Sequence, residues 1–170
     1  MQDLLLNPHA AGPWPEGLRV VGVDFSPAAL AAAATFAAEL GVSAEWIETD
    51  VLDARAAVDR ALGADAAFDL VYTSIGTIGW LPDLDRWAAQ VVALLRPGGH
   101  FYIRDGHPAL DALDEFADGL VTRYPYFNDG TPVAWDEDGT YVGDGTVTHT
   151  RTYEWPHPIS DVVTALLGAG

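Results

Sequence analysis

Short apolar runs alternate with segments of helical spacing between residues 19 and 104. Apolar runs rich in β-branched and aromatic residues predict strands, here at 19–24, 44–49, 67–74 and 100–104. Apolar residues that recur every three or four positions predict helices, here at 27–41, 53–63 and 83–95. This alternation predicts an α/β fold with a doubly wound, Rossmann-like, mostly parallel sheet and right-handed crossovers.

Two of the predicted strands end on a carboxylate. Asp24 follows the run 20–23, and Ser26-Pro27 then begins a helix. A buried strand that ends on an acid before a capped helix is typical of a ribose site in a nucleoside-binding sheet. The alternative role for Asp24 is to cap the helix, although Ser26 is better placed for that. Asp50 ends the next strand, where its carboxylate can accept from an adenine amine while the Val51 N–H faces a ring nitrogen.

Small residues follow the third predicted strand in the sequence SIGTIG, at 74–79. Small side chains at the carboxyl end of a strand let a ligand approach the backbone closely. Trp80 comes next, and it either walls a pocket or packs under the following helix.

The segments VVGVDFSPAAL, AEWIETDVLD and FDLVYTSIG…LLRPGGHFYIRD together resemble class I S-adenosylmethionine-dependent methyltransferases of the small-molecule type. The resemblance covers residue 18 to about residue 105, and 151–170 is similar to a late helix of the same family. It implies methyl transfer from S-adenosylmethionine to a small-molecule acceptor. It also implies that Asp24 holds the ribose, that Phe25 packs near the adenine and that Asp50 and Val51 read the adenine. Ser74, Ile75 and Gly76 would line the methionine side and the point of methyl transfer.

The sequence departs from the family pattern at both ends. The family's first strand and its Gly-x-Gly loop should precede Arg19, but residues 1–18 contain only Gly12 and Gly17. The family's C-terminal edge hairpin is also missing. We therefore expect a chain truncated at both ends, with a gap in the sheet and impaired cofactor binding. Two alternatives stay open: an NAD(P)-dependent oxidoreductase of Rossmann type, which would equally need a glycine-rich turn, and a non-catalytic fragment.

Residues 106–157 are interpreted as a lid or substrate cover within a single domain spanning 1–170. His107 directly follows a strand and is the candidate catalytic base. Four aromatic residues are candidates for the substrate wall: Trp80, Tyr124, Tyr126 and Trp155. The alternative is a small satellite core for the aromatics and a structural role for His107. The pattern also predicts a short helix at 108–116, a hairpin with its turn at 143–145 and strands at 140–142 and 146–155, and a last helix at 158–167.

Composition narrows the classes of partner. The chain has 170 residues, with 25 acidic against 8 basic side chains and a net charge of −17, and this surface repels the phosphates of nucleic acids. It has no lysine, which excludes Schiff-base chemistry and a Walker-type loop, and no cysteine. The five histidines show no metal-ligand spacing. No segment predicts a membrane span or a signal peptide, so we expect a cytoplasmic protein; its oligomeric state stays open.

Overall fold

The computed structural model describes residues 18–114, 116–136 and 150–170. The strands are β1 Val20–Asp24, β2 Ala44–Glu48, β3 Phe68–Thr73, β4 Leu95–Ile103, β5 Val133–Asp136 and β6 Arg151–Glu154. The helices are α1 Pro27–Glu39, α2 Ala54–Leu62, α3 Leu84–Leu94, α4 Pro108–Asp111 and α5 Ile159–Ala169. Short 3₁₀ turns span Val51–Asp53 and Ile78–Trp80. The order β-α-β-α-β-α-β through β4 confirms the predicted α/β fold.

Strands β1 and β2 form a parallel pair in which Gly22 lies opposite Trp46. Gly22 is buried because the Trp46 ring lies over it: a Cβ built at Gly22 would meet a ring carbon at 2.4 Å. Helix α1 packs on this pair. The Ser26 hydroxyl begins α1 by accepting from the Ala29 N–H at 3.2 Å, as the sequence predicts.

Strands β3 and β4 form the second parallel pair, and β4 is longer than predicted. The pairing runs Phe68 to Leu95 and then jumps to Leu70 with His100, so 96–99 bulge out of the ladder. The predicted strand at 100–104 was therefore too short, because pairing with Phe68 starts the strand at Leu95. Glycine is needed in the bulge: Gly98 has φ +78, and a Cβ on Gly99 would lie 2.9 Å from the Phe68 carbonyl oxygen.

One layer of helices covers both strand pairs. Val23 of β1 and Ile47 of β2 pack on a buried cluster formed by Ala54, Val58 and Leu94. Phe68 and Val71 of β3 pack on the same cluster. A second cluster contains the fully buried Trp87 and joins α3 and α5 to Val71 of β3 and to Phe101 and Ile103 of β4. The two pairs therefore belong to one layered core.

Within the described ranges β1 pairs with β2 and β3 pairs with β4, and no ladder joins β1 to β3. The segment before Arg19, on which the expected gap in the sheet depends, lies mostly outside the described residues. Val71, Phe101 and Ile103 face the core. The opposite face of the second pair carries Leu70 and Tyr102, which are 56% and 54% exposed.

The segment 106–157, the predicted cover, contacts the loop after β3 through its described residues. Strands β5 and β6 form an antiparallel hairpin, and the Trp155 N–H donates to the Gly79 carbonyl at 2.8 Å. Helix α4 ends at Asp111 and so is shorter than the predicted 108–116. Strand β6 lies inside the predicted 146–155, but its partner is β5, which the sequence analysis missed. The predicted turn at 143–145 and strand at 140–142 lie outside the described residues.

Helix α5 confirms the predicted last helix. In the described ranges no helix has both the length and the apolar character to cross a membrane.

Candidate functional site

Asp24 sits at the carboxyl end of β1, where the β1–β2 ladder ends. Its backbone carbonyl accepts from the Thr49 N–H at 3.0 Å. Its side-chain Oδ1 accepts from the Ser26 N–H at 2.7 Å, in a local turn that fixes the carboxylate. The Ser26 hydroxyl caps α1, so the Asp24 carboxylate is not the cap of this helix. Among the described residues, no hydrogen bond to the second carboxylate oxygen, Oδ2, is found.

Asp50 repeats this geometry at the carboxyl end of β2. Its Oδ1 accepts from the Leu52 N–H at 2.8 Å and so caps the 3₁₀ turn at Val51–Asp53. Val51 is the first residue of that turn, where a backbone N–H has no partner within the helix. Phe25 projects beside these two acids with 76% of its surface exposed. The structure thus brings Asp24, Phe25, Asp50 and Val51 to one edge of the β1–β2 pair.

The carboxyl ends of β2 and β3 lie at the same edge of the molecule. Leu52, just after β2, is buried against Leu81 and Leu84, which follow β3. Arg86 of α3 strengthens this junction, with its Nη2 3.3 Å from Asp53 Oδ1. The acids that end β1 and β2 therefore share an edge with the small-residue loop that follows β3.

The loop at 74–79 begins with a buried residue and then turns outward. Ser74 is 4% exposed, and its Oγ lies 3.3 Å from the Thr77 Oγ1, while Ile75 is 44% exposed. Gly76 has φ +77, in the left-handed region where a side chain would be strained. Its N–H donates to Asp105 Oδ1 at 2.9 Å.

Asp105 is a site residue that the sequence analysis missed. It is the second residue after β4, as Asp50 is the second residue after β2, so the same strand-end pattern would have found it. Its Oδ1 accepts from the Gly76 N–H and from the Gly106 N–H at 2.8 Å. One carboxylate oxygen thus connects the loop after β3 to the loop after β4.

The four aromatic candidates divide into two groups. Trp80 is 47% exposed, and the bond between Trp155 and Gly79 brings Trp155 beside it, at the loop after β3. Tyr124 instead packs on Trp135 of β5, with ring centroids 4.8 Å apart. Tyr126 packs edge-on to its neighbour Phe127. The ring contacts of Tyr124 and Tyr126 therefore lie within the cover, as the alternative of a satellite core expects.

His107 is exposed at the start of α4. Its Nδ1 accepts from the Ala109 N–H at 3.2 Å, so it caps this helix. A neutral imidazole whose Nδ1 accepts carries its proton on Nε2. Nearby, burial raises the pKa of Asp111, and the charge of Asp105 raises it further while His107 opposes the rise. The loop after β4 thus holds three titratable groups close together.

His157 is a buried histidine in the cover, 7% exposed. Its Nε2 lies 2.8 Å from the Leu81 carbonyl oxygen and its Nδ1 3.5 Å from the Asn128 amide nitrogen. Burial lowers the pKa of His157, and the Leu81 carbonyl and the charge of Asp161 partly oppose the shift. A cavity of about 520 Å³ adjoins His157 between the first turns of α3 and α5. None of the strand-end residues lines it, so it is separate from the site at the sheet edge.

Comparison with known proteins decides which family this geometry belongs to. The sequence profile of the family described as "Methyltransferase domain" matches residues 4–101, more than half of the chain. The chain belongs to this methyltransferase family. A search of curated protein sequences finds no match.

Solved structures support the methyltransferase fold. An S-adenosylmethionine-dependent methyltransferase from Clostridium acetobutylicum aligns with 89% of this chain at 14% identity and a TM-score of 0.58. A protein from Pyrococcus horikoshii aligns over the same share at 18% identity and a TM-score of 0.56. The chain spans 63% and 62% of the length of these two structures.

Proposed function

We propose that this methyltransferase-family chain binds S-adenosylmethionine and takes part in methyl transfer to a small-molecule acceptor. The observation that carries the proposal is the pair of oriented acids, Asp24 and Asp50, at the carboxyl ends of two paired parallel strands. Ligands of open α/β sheets bind at this edge. The small-residue loop after β3 lies at the same edge, where the third part of an extended cofactor would fit.

The ribose end is assigned to Asp24 and Phe25. A carboxylate fixed through one oxygen can accept from ribose hydroxyls through the other without losing its orientation, and such charge-assisted bonds are the stronger kind. The exposed Phe25 ring supplies an apolar face for the adenine, and its burial by the ligand favours binding. Asp50 would accept from the adenine amine, and the Val51 N–H would donate to a ring nitrogen.

The methionine end is assigned to Ser74, Ile75 and Gly76. Gly76 has no side chain, so a ligand can approach its backbone closely. When bound, S-adenosylmethionine supplies an electrophilic methyl group on its sulfonium. The chain's own residues orient the acceptor toward that methyl group and exclude water from the approach.

The acceptor side is assigned to the cover at 106–157. The backbone bond from Trp155 to Gly79 places Trp155 at the loop that carries Trp80. We propose that these two residues wall the acceptor, with Tyr124 and Tyr126 as the outer part of the wall. Planar aromatic walls with few polar groups suit a small organic acceptor better than an extended polymer. The net charge of −17 disfavours nucleic acid as the acceptor.

The role of His107 as a proton acceptor stays a prediction, and it requires a change in the hydrogen bonding of its ring. In the described arrangement its Nε2 carries the proton, so it donates rather than accepts there. A base role needs Nδ1 to leave the Ala109 N–H. A base is required only if the acceptor must lose its proton during transfer.

The proposal is tested by calorimetric titration with S-adenosylhomocysteine, the cofactor product, and separately with NAD. Binding of S-adenosylhomocysteine is expected. A response to NAD alone would support the oxidoreductase instead, and no binding of either ligand would support the non-catalytic fragment.

The role of Asp24 is tested by Asp24→Ala in the same titration. Loss of a charge-assisted bond is expected to weaken S-adenosylhomocysteine binding by more than about 1 kcal/mol, or about fivefold. Glu48→Gln is the matched control. Glu48 lies opposite Asp24 in the ladder, so this substitution removes one negative charge from the same edge. Equal affinities for Asp24→Ala and wild type would contradict the assignment.

A further inference from the structure

We propose that Asp105 is a positioning residue that holds the loop after β3 in the shape needed for the methionine end of the cofactor. This inference rests on the proposed function for its ligand, but the structural part of it stands on contacts within the chain. Asp105 itself need not touch the ligand, because it acts through Gly76.

The position of Asp105 explains why a side chain is needed here. The last backbone bond between the two strands runs from the Arg104 N–H to the Thr73 carbonyl, at 3.4 Å. Beyond it the two chains enter separate loops, and the ladder can no longer hold them together. The bond from the Gly76 N–H to the Asp105 carboxylate continues the connection one step past the ends of the strands.

The bond ties the tip of the loop to the segment after β4. Within the loop itself, the turn around Ile75 and Gly76 is closed by a long bond, from the Thr77 N–H to the Ser74 carbonyl at 3.4 Å. Gly76 has no side chain and adopts φ +77, so its own packing does little to fix the loop. Ile75 beside it is largely exposed, whereas Ser74 before it is buried. Among the described residues, the Asp105 carboxylate is the group from outside the loop that hydrogen-bonds to Gly76 at its tip. Its second bond, to the Gly106 N–H, keeps the carboxylate turned toward Gly76.

Two substitutions separate this role from a simple loss of charge. Asp105→Ala removes the acceptor, whereas Asp105→Asn keeps an oxygen in the same place without the charge. Asp111→Asn is the matched control. Asp111 interacts electrostatically with Asp105. Its substitution removes a carboxylate from the same region but leaves the bond between Asp105 and Gly76 in place.

The first measurement is amide hydrogen exchange at Gly76, followed by NMR. Asp105→Ala is expected to speed exchange at Gly76 about tenfold, whereas Asp105→Asn and Asp111→Asn stay within about threefold of wild type. Gly76 is the readout because the intrinsic exchange rate of Gly106 changes with the preceding side chain. Unchanged exchange at Gly76 in Asp105→Ala would overturn the proposal.

The second measurement compares the binding of S-adenosylhomocysteine with that of adenosine. Asp105→Ala is expected to weaken the first several-fold and to leave adenosine binding unchanged, because adenosine lacks the methionine end; Asp105→Asn restores most of the loss. Equal weakening of both ligands would show a general structural defect and overturn the positioning role. If the wild type binds neither ligand, the proposed function fails, and exchange at Gly76 still decides whether Asp105 holds the loop.

Discussion

Gly22 offers a sharp test of how β1 is held in place. Its Cα lies under the Trp46 ring, and a Cβ added there would meet ring carbons at 2.4 and 2.5 Å. Carbon atoms pack best at about 3.5–4.0 Å, so in Gly22→Ala the ring must move away by about 1 Å. Overpacking of this kind costs about 1–3 kcal/mol, and the lower chain entropy of unfolded alanine offsets about 0.4–1 kcal/mol of it.

The net loss expected for Gly22→Ala is about 1–2 kcal/mol in the free energy of unfolding. For a protein of this size it corresponds to a fall in Tm of about 2–8 °C. Urea unfolding followed by tryptophan fluorescence and thermal unfolding followed by circular dichroism measure the two quantities. The urea midpoint should fall while the slope m stays constant.

A double-mutant cycle identifies the cause. Trp46→Leu removes the ring, so adding Gly22→Ala to it should cost at least about 1 kcal/mol less than Gly22→Ala costs in the wild type. Gly168→Ala is the control, because a Cβ there meets nothing within 4 Å and helix α5 should gain up to about 1 kcal/mol. Additive costs for Gly22→Ala and Trp46→Leu, or a fully stable Gly22→Ala, would refute the steric explanation.

Two further predictions concern the packing of the helices and the cover. The Arg55 side chain is 18% exposed, and its Nη2 pairs with Asp59. Its Nη1 donates to the Ala66 carbonyl at 2.7 Å and to the Ala93 carbonyl at 3.2 Å. Arg55→Gln should therefore lower the free energy of unfolding by about 1–3 kcal/mol in urea titrations; a loss no larger than that of the exposed Arg60→Gln would contradict this role. The pKa of His157 lies below its ordinary value of 6.5, so the folded state binds fewer protons than the unfolded state, and stability is lost as the pH falls through 6.5 toward the folded pKa. In unfolding curves from pH 7.5 to 5, His157→Gln should lose less stability than wild type; parallel curves would count against it.

The sequence by itself determined the strands and helices that precede β4, and the cap and acidic residues at their ends. The apolar periods predicted β1 to β3 and α1 to α3 within a few residues, because these patterns depend on local burial. The same reasoning predicted Ser26 as the cap of α1 and Asp24 and Asp50 as strand-end acids, since caps and strand ends are set by neighbours in the chain.

Only the tertiary structure decided the contacts between residues distant in the chain. The start of β4 at Leu95 depends on pairing with Phe68, and the pairing of β6 with β5 joins segments that no local pattern connects. The bond between Asp105 and Gly76 is likewise visible only in the fold, which places the carboxylate 2.9 Å from the Gly76 nitrogen, 29 positions away in sequence. The physical reason is the same in each case. Hydrophobic period and capping act over a few residues, whereas register, bulges and loop-to-loop bonds depend on which strands the core brings together.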